Sequence, residues 1–135
     1  MFRTVKAVIE STVQVPKKHI SKFKTDFTFE QRSAEVDRIR SKYPDRVPVI
    51  CERHVSNTTS PDIDKTKYLV PQDLTIGQFM YVIRKRLKLN ASEALYLFAN
   101  GHMMTCSNTV GVAYDNYKDS DGFLYLKYSK ESTFG

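Results

Sequence analysis

Tryptophan is absent from the 135 residues, and only two cysteines occur, Cys51 and Cys106. So few and so distant, they allow a single bridge at most and make no thiolate metal cluster. Both are expected to be small buried residues of a reducing compartment. Glycine is scarce, at five, and none falls in a phosphate-cradling pattern. No apolar run approaches the roughly 20 residues of a membrane-spanning helix, and the N-terminus lacks the apolar core of a secretory signal. The histidines, His19, His54 and His102, stand apart from one another and show no metal-ligand spacing. His102 precedes Cys106 by four residues, but no third group is in place to orient it as a base. Asp119-Ser120-Asp121-Gly122 begins like a calcium loop, yet Leu124 and Lys130 stand where such a loop needs Gly and Glu. No catalytic residue, metal or cofactor is expected.

The formal charge of +6 is unevenly placed. Arg3, Lys6, Lys17, Lys18, Lys22 and Lys24 face Glu10 alone in the first 24 residues, and the rest of the chain is close to neutral. The high overall pI is therefore weak grounds for a nucleic-acid partner. A basic N-terminal arm fits anionic lipid, RNA or an acidic protein alike. Residues 1–21 read as a flexible extension. A second cluster, Arg84-Lys85-Arg86 with Lys88, reads first as a solvated helix face, then as a protein-docking surface, then as an RNA contact.

With 41% hydrophobic residues the chain suffices for one core, hence one domain. Its organising stretch is Lys65 to Leu87. Lys67-Tyr68-Leu69-Val70 is β-prone and ends at Pro71, which has no N–H for a sheet ladder. A lysine-bearing strand stopped by proline is a protected sheet edge, here expected to stay open for a visiting peptide. Thr75 and Gln78 make a capping box, and Ile76, Phe79, Ile83 and Leu87 follow at spacings of three and four, one face of a helix. A second capping box, Thr28 with Gln31, opens a helix whose inner face should carry Phe29, Val36, Ile39 and Tyr43. Val47–Arg53 is a strand with Val47, Val49 and Cys51 on one face and Pro48, Ile50 and Glu52 on the other. Residues 54–64 form a polar loop. Leu95–Ala99 is a third strand, turned by Asn100-Gly101. Thr109–Tyr117 is a short helix weakened by Gly111. Phe123–Tyr128, apolar on both faces, is the central strand. One helix across a four-stranded mixed sheet, an α+β layout of the β-grasp kind, fits this order.

Four blocks carry a specific resemblance: PDRVPVICE (44–52), DKTKYLVPQDLTIGQFMYVIRKRL (64–87), DGFLYLKYS (121–129) and TFG (133–135). With FEQRSAEVDRIRSKYPDR (29–46), they closely resemble the ubiquitin-like autophagy modifiers of the GABARAP family, over roughly residues 22–135. The resemblance implies a ubiquitin-like β-grasp with additional N-terminal helices, residues 22–128 forming the domain and 129–135 a conjugation tail. It implies a non-enzymatic modifier joined through Gly135, after Phe134, to phosphatidylethanolamine. The resemblance implies a processing and delipidating cysteine protease, with Gly135 either encoded last or exposed by proteolysis, and E1-, E2- and E3-like enzymes that would activate and transfer it. The protein would be cytoplasmic and monomeric when soluble, and lipid-anchored on autophagosome membranes when conjugated.

The resemblance also implies a groove for cargo receptors bearing aromatic-x-x-aliphatic peptides, added as a strand to the sheet edge. The aromatic hollow would use Glu35, Ile39, Pro48, Ile50, Lys67, Leu69 and Phe123. The aliphatic hollow would use Tyr68, Val70, Pro71, Leu74, Phe79 and Val82. Lys65, Lys67 and Arg86 would meet acidic flanks of the peptide. Two anchors of about 1.5–3 kcal/mol each, less ordering costs, suggest affinity on the order of micromolar. Leu69, Ile50 and Phe123 also fit as plain core residues. Three departures from the family pattern stand out: Thr28 replaces a proline, His102-Met103-Met104-Thr105 replaces a Pro-Pro segment, and residues 1–20 have no counterpart. Two other readings remain beside this one, a non-conjugated peptide-binding adaptor in membrane trafficking and a basic RNA-binding module.

Overall fold

The computed structural model describes residues 21–55 and 60–132. The arm at residues 1–20, part of the 54–64 loop, and Phe134 and Gly135 lie outside the described residues. In chain order the elements are α1 (Lys22–Asp26), α2 (Phe29–Lys42), β1 (Arg46–Arg53), β2 (Lys67–Pro71) and α3 (Ile76–Leu87). Then come β3 (Tyr96–Ala99), β4 (His102–Met103), α4 (Val110–Tyr117) and β5 (Leu124–Ser129).

Both capping boxes form, Thr28 with Gln31 at α2 and Thr75 with Gln78 at α3. Each satisfies two backbone donors that a helix start leaves unpaired. Thr109 caps α4 through its side chain. Ile76, Phe79, Ile83 and Leu87 are all buried, so the apolar stripe of α3 is the face that meets the sheet. Each such side chain contributes about 1.5–3 kcal/mol on burial. Lys88 ends the helix in the left-handed conformation, φ 57°, with its N–H on the Arg84 and Lys85 carbonyls.

The sheet is mixed, in the order β2-β1-β5-β3-β4, with β1 and β5 parallel and the other pairs antiparallel. Val47, Val49 and Cys51 of β1, Tyr68 and Val70 of β2, and Leu124, Leu126 and Tyr128 of β5 form one core with α3 and α4. The opposite face carries Ile50, Phe123 and Tyr125, covered by Val36 of α2 and Phe23 of α1. β5 is the third of five strands, as its two-sided apolar pattern leads one to expect.

Three expectations need correction. The sheet has five strands rather than four, because His102–Met103 pairs back onto Phe98 and Ala99. Asn100 and Gly101 both take positive φ, 50° and 78°, so the turn closes at once and two residues suffice for pairing. Phe29 does not reach the inner face of α2; it is 43% exposed, while Arg32 one turn on is buried. Only Cys51 is buried; Cys106 is exposed, and both are free thiols.

Arg32 is tolerated inside because it is paired. Its Nη1 lies 2.5 Å from Asp121 Oδ2, and its Nε donates to the Phe27 carbonyl at 3.2 Å. Asp121 also accepts from the Tyr125 hydroxyl at 2.5 Å and from the Phe123 N–H at 2.8 Å. Burial, then this carboxylate, pushes the Tyr125 hydroxyl pKa up. One carboxylate thus joins α2 to the turn before β5 and fixes the start of that strand. α1 is held separately. Ser21 Oγ and the Phe23 N–H donate to Glu52 at 2.6 and 3.1 Å, and Lys24 bridges to Asp119 at 2.6 Å.

Candidate functional site, the β2 edge

Among the described residues β2 has one sheet neighbour, β1, which leaves its other side open. The direction of each main-chain group follows from the register. The Cys51 N–H donates to the Thr66 carbonyl at 2.8 Å, so this antiparallel pair is a hydrogen-bonded one. Bonded pairs recur every second residue, so Tyr68 opposite Val49 and Val70 opposite Val47 also bond inward. Pro48, opposite Leu69, has no N–H to give and falls in the intervening phase. The N–H and C=O groups of Lys67 and Leu69 therefore point away from β1, into the open side. Arg46 Nη1 donates to the Leu69 carbonyl at 3.3 Å, which occupies one of these outward acceptors.

Side chains divide by the same alternation. Lys67 and Leu69 lie half-buried on the face shared with Pro48 and Ile50. Ile39, Ile50 and Phe123 beneath them are 1%, 0% and 0% exposed, so the aromatic hollow is shut in this conformation. Its cover is ionic. Lys67 Nζ meets Glu35 Oε2 at 2.5 Å, and Arg38 Nε donates to Glu35 Oε1 at 2.8 Å. Hydrogen bonds from Arg38 and then Lys67 hold the Glu35 carboxyl at about 2, against its ordinary 4.5.

On the other face Tyr68, Val70 and Phe79 belong to the core, and the Tyr68 and Phe79 rings meet edge to face at 5.4 Å. The accessible part of that hollow is Pro71 and Leu74, half-buried, with Val82 39% exposed on α3. Lys65 Nζ sits 5.2 Å from the Tyr68 ring centroid, and Arg86 reaches Asp64 at 3.3 Å. The structure thus brings the two proposed sets to the two faces of one edge strand, with Lys65 and Arg86 at its start. Arg46 was not among the sequence candidates. Only the strand register reveals it, since nothing in its local sequence signals that it faces a carbonyl across the sheet.

A cavity of about 580 Å³ lies elsewhere, beside α1, lined by Phe23, Phe27, Glu52, Val55 and Ile63 among others. Its charges are already matched, as Lys22 with Asp26, Lys127 with Glu52 and Arg53 with Asp62. It offers no convergent unpaired group, so the edge strand is the better candidate. Among the described residues no group of three or more His, Cys, Asp or Glu side chains is placed to hold a metal.

Comparison with known proteins agrees with this architecture. The family model described as autophagy protein Atg8, ubiquitin like, matches residues 31–135. Autophagy-related protein 8 of Mycosarcoma maydis is 53% identical over 115 residues, covering 85% of this chain and 97% of that protein. Autophagy-related protein 8e of Arabidopsis thaliana is 53% identical over 113 residues, covering 84% and 92%. The crystal structure of Trypanosoma brucei ATG8 superposes with a TM-score of 0.79 at 45% identity, covering 86% of this chain and 99% of that one. With its mixed sheet, crossing helix and two preceding helices, the chain belongs to the Atg8 ubiquitin-like family of autophagy proteins.

Proposed function

We propose that this chain is a non-enzymatic ubiquitin-like modifier, joined through Gly135 to phosphatidylethanolamine, that displays cargo receptors on autophagosome membranes. An E1-like enzyme adenylates the Gly135 carboxylate with ATP, releasing pyrophosphate. Its cysteine thiol then displaces AMP to form a thioester, which passes to the cysteine of an E2-like enzyme by thiol exchange. The lipid amine then attacks, an amide forms and the thiol leaves. Glycine suits this because it places no side chain beside the attacked carbonyl. The two acyl chains of the lipid anchor firmly where a single one is marginal. No described helix is long and apolar enough to cross a membrane.

The observation that carries the reading is the β2 edge, with the main-chain groups of Lys67 and Leu69 turned outward between the closed aromatic hollow and the partly accessible Pro71, Leu74 and Val82. An extended aromatic-x-x-aliphatic peptide completes that ladder and places alternate anchors on the two faces. The aromatic anchor displaces the Lys67–Glu35 cover and reaches Ile50 and Phe123. Val82, Leu74 and Pro71 take the aliphatic anchor, and Lys65 and Arg86 face acidic flanking residues.

Mass spectrometry of the chain recovered from autophagy-induced cells tests the conjugation. A phosphatidylethanolamine adduct on Gly135, lost together with membrane puncta in Gly135→Ala, is the expected result. Puncta that persist in Gly135→Ala with peptide binding intact would favour a non-conjugated adaptor.

A further inference from the structure

We infer that the last turn of α3 and the root of the C-terminal tail form one surface that lies on anionic phospholipid headgroups. The inference rests on lipid attachment at Gly135. β5 ends at the buried Ser129, paired with Tyr96. The next residue, Lys130, bridges to Glu93 at 2.7 Å. Glu93 lies in the loop that α3 itself holds, for Arg84 donates to the Glu93 carbonyl at 2.7 Å and to the Asn90 carbonyl at 2.8 Å. The tail therefore leaves the folded body beside the C-terminal end of α3. Gly135 is six residues beyond Ser129, a reach of about 20 Å at most when fully extended. A lipid on that glycine brings this end of the molecule close to the bilayer.

The groups presented there suit such a surface. Lys85 and Lys88 are exposed and make no ion pair among the described residues, whereas Arg86 is taken by Asp64. Tyr81 is 60% exposed, with Lys85 Nζ 5.2 Å from its ring centroid. Tyr81 and Lys85, four residues apart, share one face of the helix, and Lys88 follows as its left-handed cap. Val82 and Arg86 lie on the neighbouring face, toward the peptide edge. A tyrosine with flanking lysines matches the interfacial zone of a membrane, where the ring sits among headgroups and the ammonium groups meet anionic lipid. Lys130 offsets Glu93, so Glu131 is the remaining acidic side chain at the tail root. A membrane occupant is favoured over RNA because the tail delivers lipid to this spot and the patch presents a single exposed aromatic.

The test uses the full chain with Cys106→Ser and Gly135→Cys, coupled to maleimide-phosphatidylethanolamine in vesicles of phosphatidylcholine with or without phosphatidylserine. This chemical anchor works whether or not cells conjugate Gly135, so failure here is separable from failure of the proposed function. Acetylation of Lys85 and Lys88 should fall several-fold on phosphatidylserine vesicles, with Lys42 and Lys118 unchanged, and recover in high salt. Binding of the uncoupled full chain to the same vesicles should weaken roughly tenfold or more in K85E/K88E and little in K42E/K118E. Equal weakening by both pairs, or equal protection without phosphatidylserine, would overturn the inference. So would protection of Lys85 and Lys88 by an RNA oligonucleotide but not by vesicles.

Discussion

A proline at position 69 separates the groups that hold β2 in the sheet from those offered to a guest. The Leu69 N–H is not used by β1, because the bonded phase passes through Thr66, Tyr68 and Val70. Proline is tolerated on an edge strand when its N side faces solvent. Leu69→Pro should therefore fold, whereas Tyr68→Pro removes an inward ladder bond and a core side chain and should not. For peptide binding, Leu69→Pro loses both the half-buried side chain and the donor, and Leu69→Ala loses the side chain alone. The difference isolates the N–H. A hydrogen bond of this kind contributes about 0.5–1.5 kcal/mol, so Leu69→Pro should bind an aromatic-x-x-aliphatic peptide roughly two- to tenfold more weakly than Leu69→Ala. Calorimetric titration reads this directly. Amide hydrogen exchange of the unaltered chain checks the same point without mutation. The Lys67 and Leu69 amides should exchange quickly when free and slow on adding peptide, and Tyr68 and Val70 should be protected throughout. Equal affinity of the two variants, or slow exchange at Leu69 in the free protein, refutes the assigned strand phase.

Other outcomes follow from groups away from the ladder. Glu35 is depressed to about 2 by Arg38 and Lys67, so its contribution is complete above 4.5 and is lost as pH falls from 4.5 toward 2. The pair is partly exposed, so screening keeps the effect to about 1 kcal/mol or less. Glu35→Gln should flatten that part of the denaturation-midpoint curve against pH. Arg32→Ala strands the fully buried Asp121 carboxylate, and urea unfolding should show a loss of about 3–5 kcal/mol, with part of it recovered in Arg32→Ala/Asp121→Asn. A thiol reagent should modify one cysteine of the native chain, Cys106, since burial both hides Cys51 and raises its thiol pKa. Rapid modification of two would place Cys51 at the surface.

Legibility followed the range of the interactions. α3 was readable because its signals are local; the capping box and the apolar stripe lie within 13 residues, and the helix spans Ile76–Leu87. The two-faced pattern of β5 likewise announced a covered central strand. Arg32 was not readable, since a buried arginine makes sense only with Asp121, 89 residues away. Phe29 misled for the converse reason. Apolar spacing put it on the inner face, but at the first turn of α2 the ring stays 43% exposed, with the Arg32 guanidinium 5.8 Å from its centroid. β4 is too short to leave a periodic trace, and only its turn was visible. For the candidate site, the resemblance named the side chains. The assignment of outward main-chain groups and the part played by Arg46 required the register of β2 on β1.

The two rims of the sheet are unequal. β2 offers five residues, whereas β4 at the far rim is two residues long. Head-to-tail polymerisation through backbone pairing needs two usable rims on every molecule, and a two-residue rim forms too few bonds to hold a neighbour. Crowding many copies onto one vesicle should consequently multiply vacant berths for ligands without knitting the copies into fibres. A protein concentrated on a small curved surface would in this way gain avidity for multivalent partners while avoiding the usual hazard of exposed β-structure.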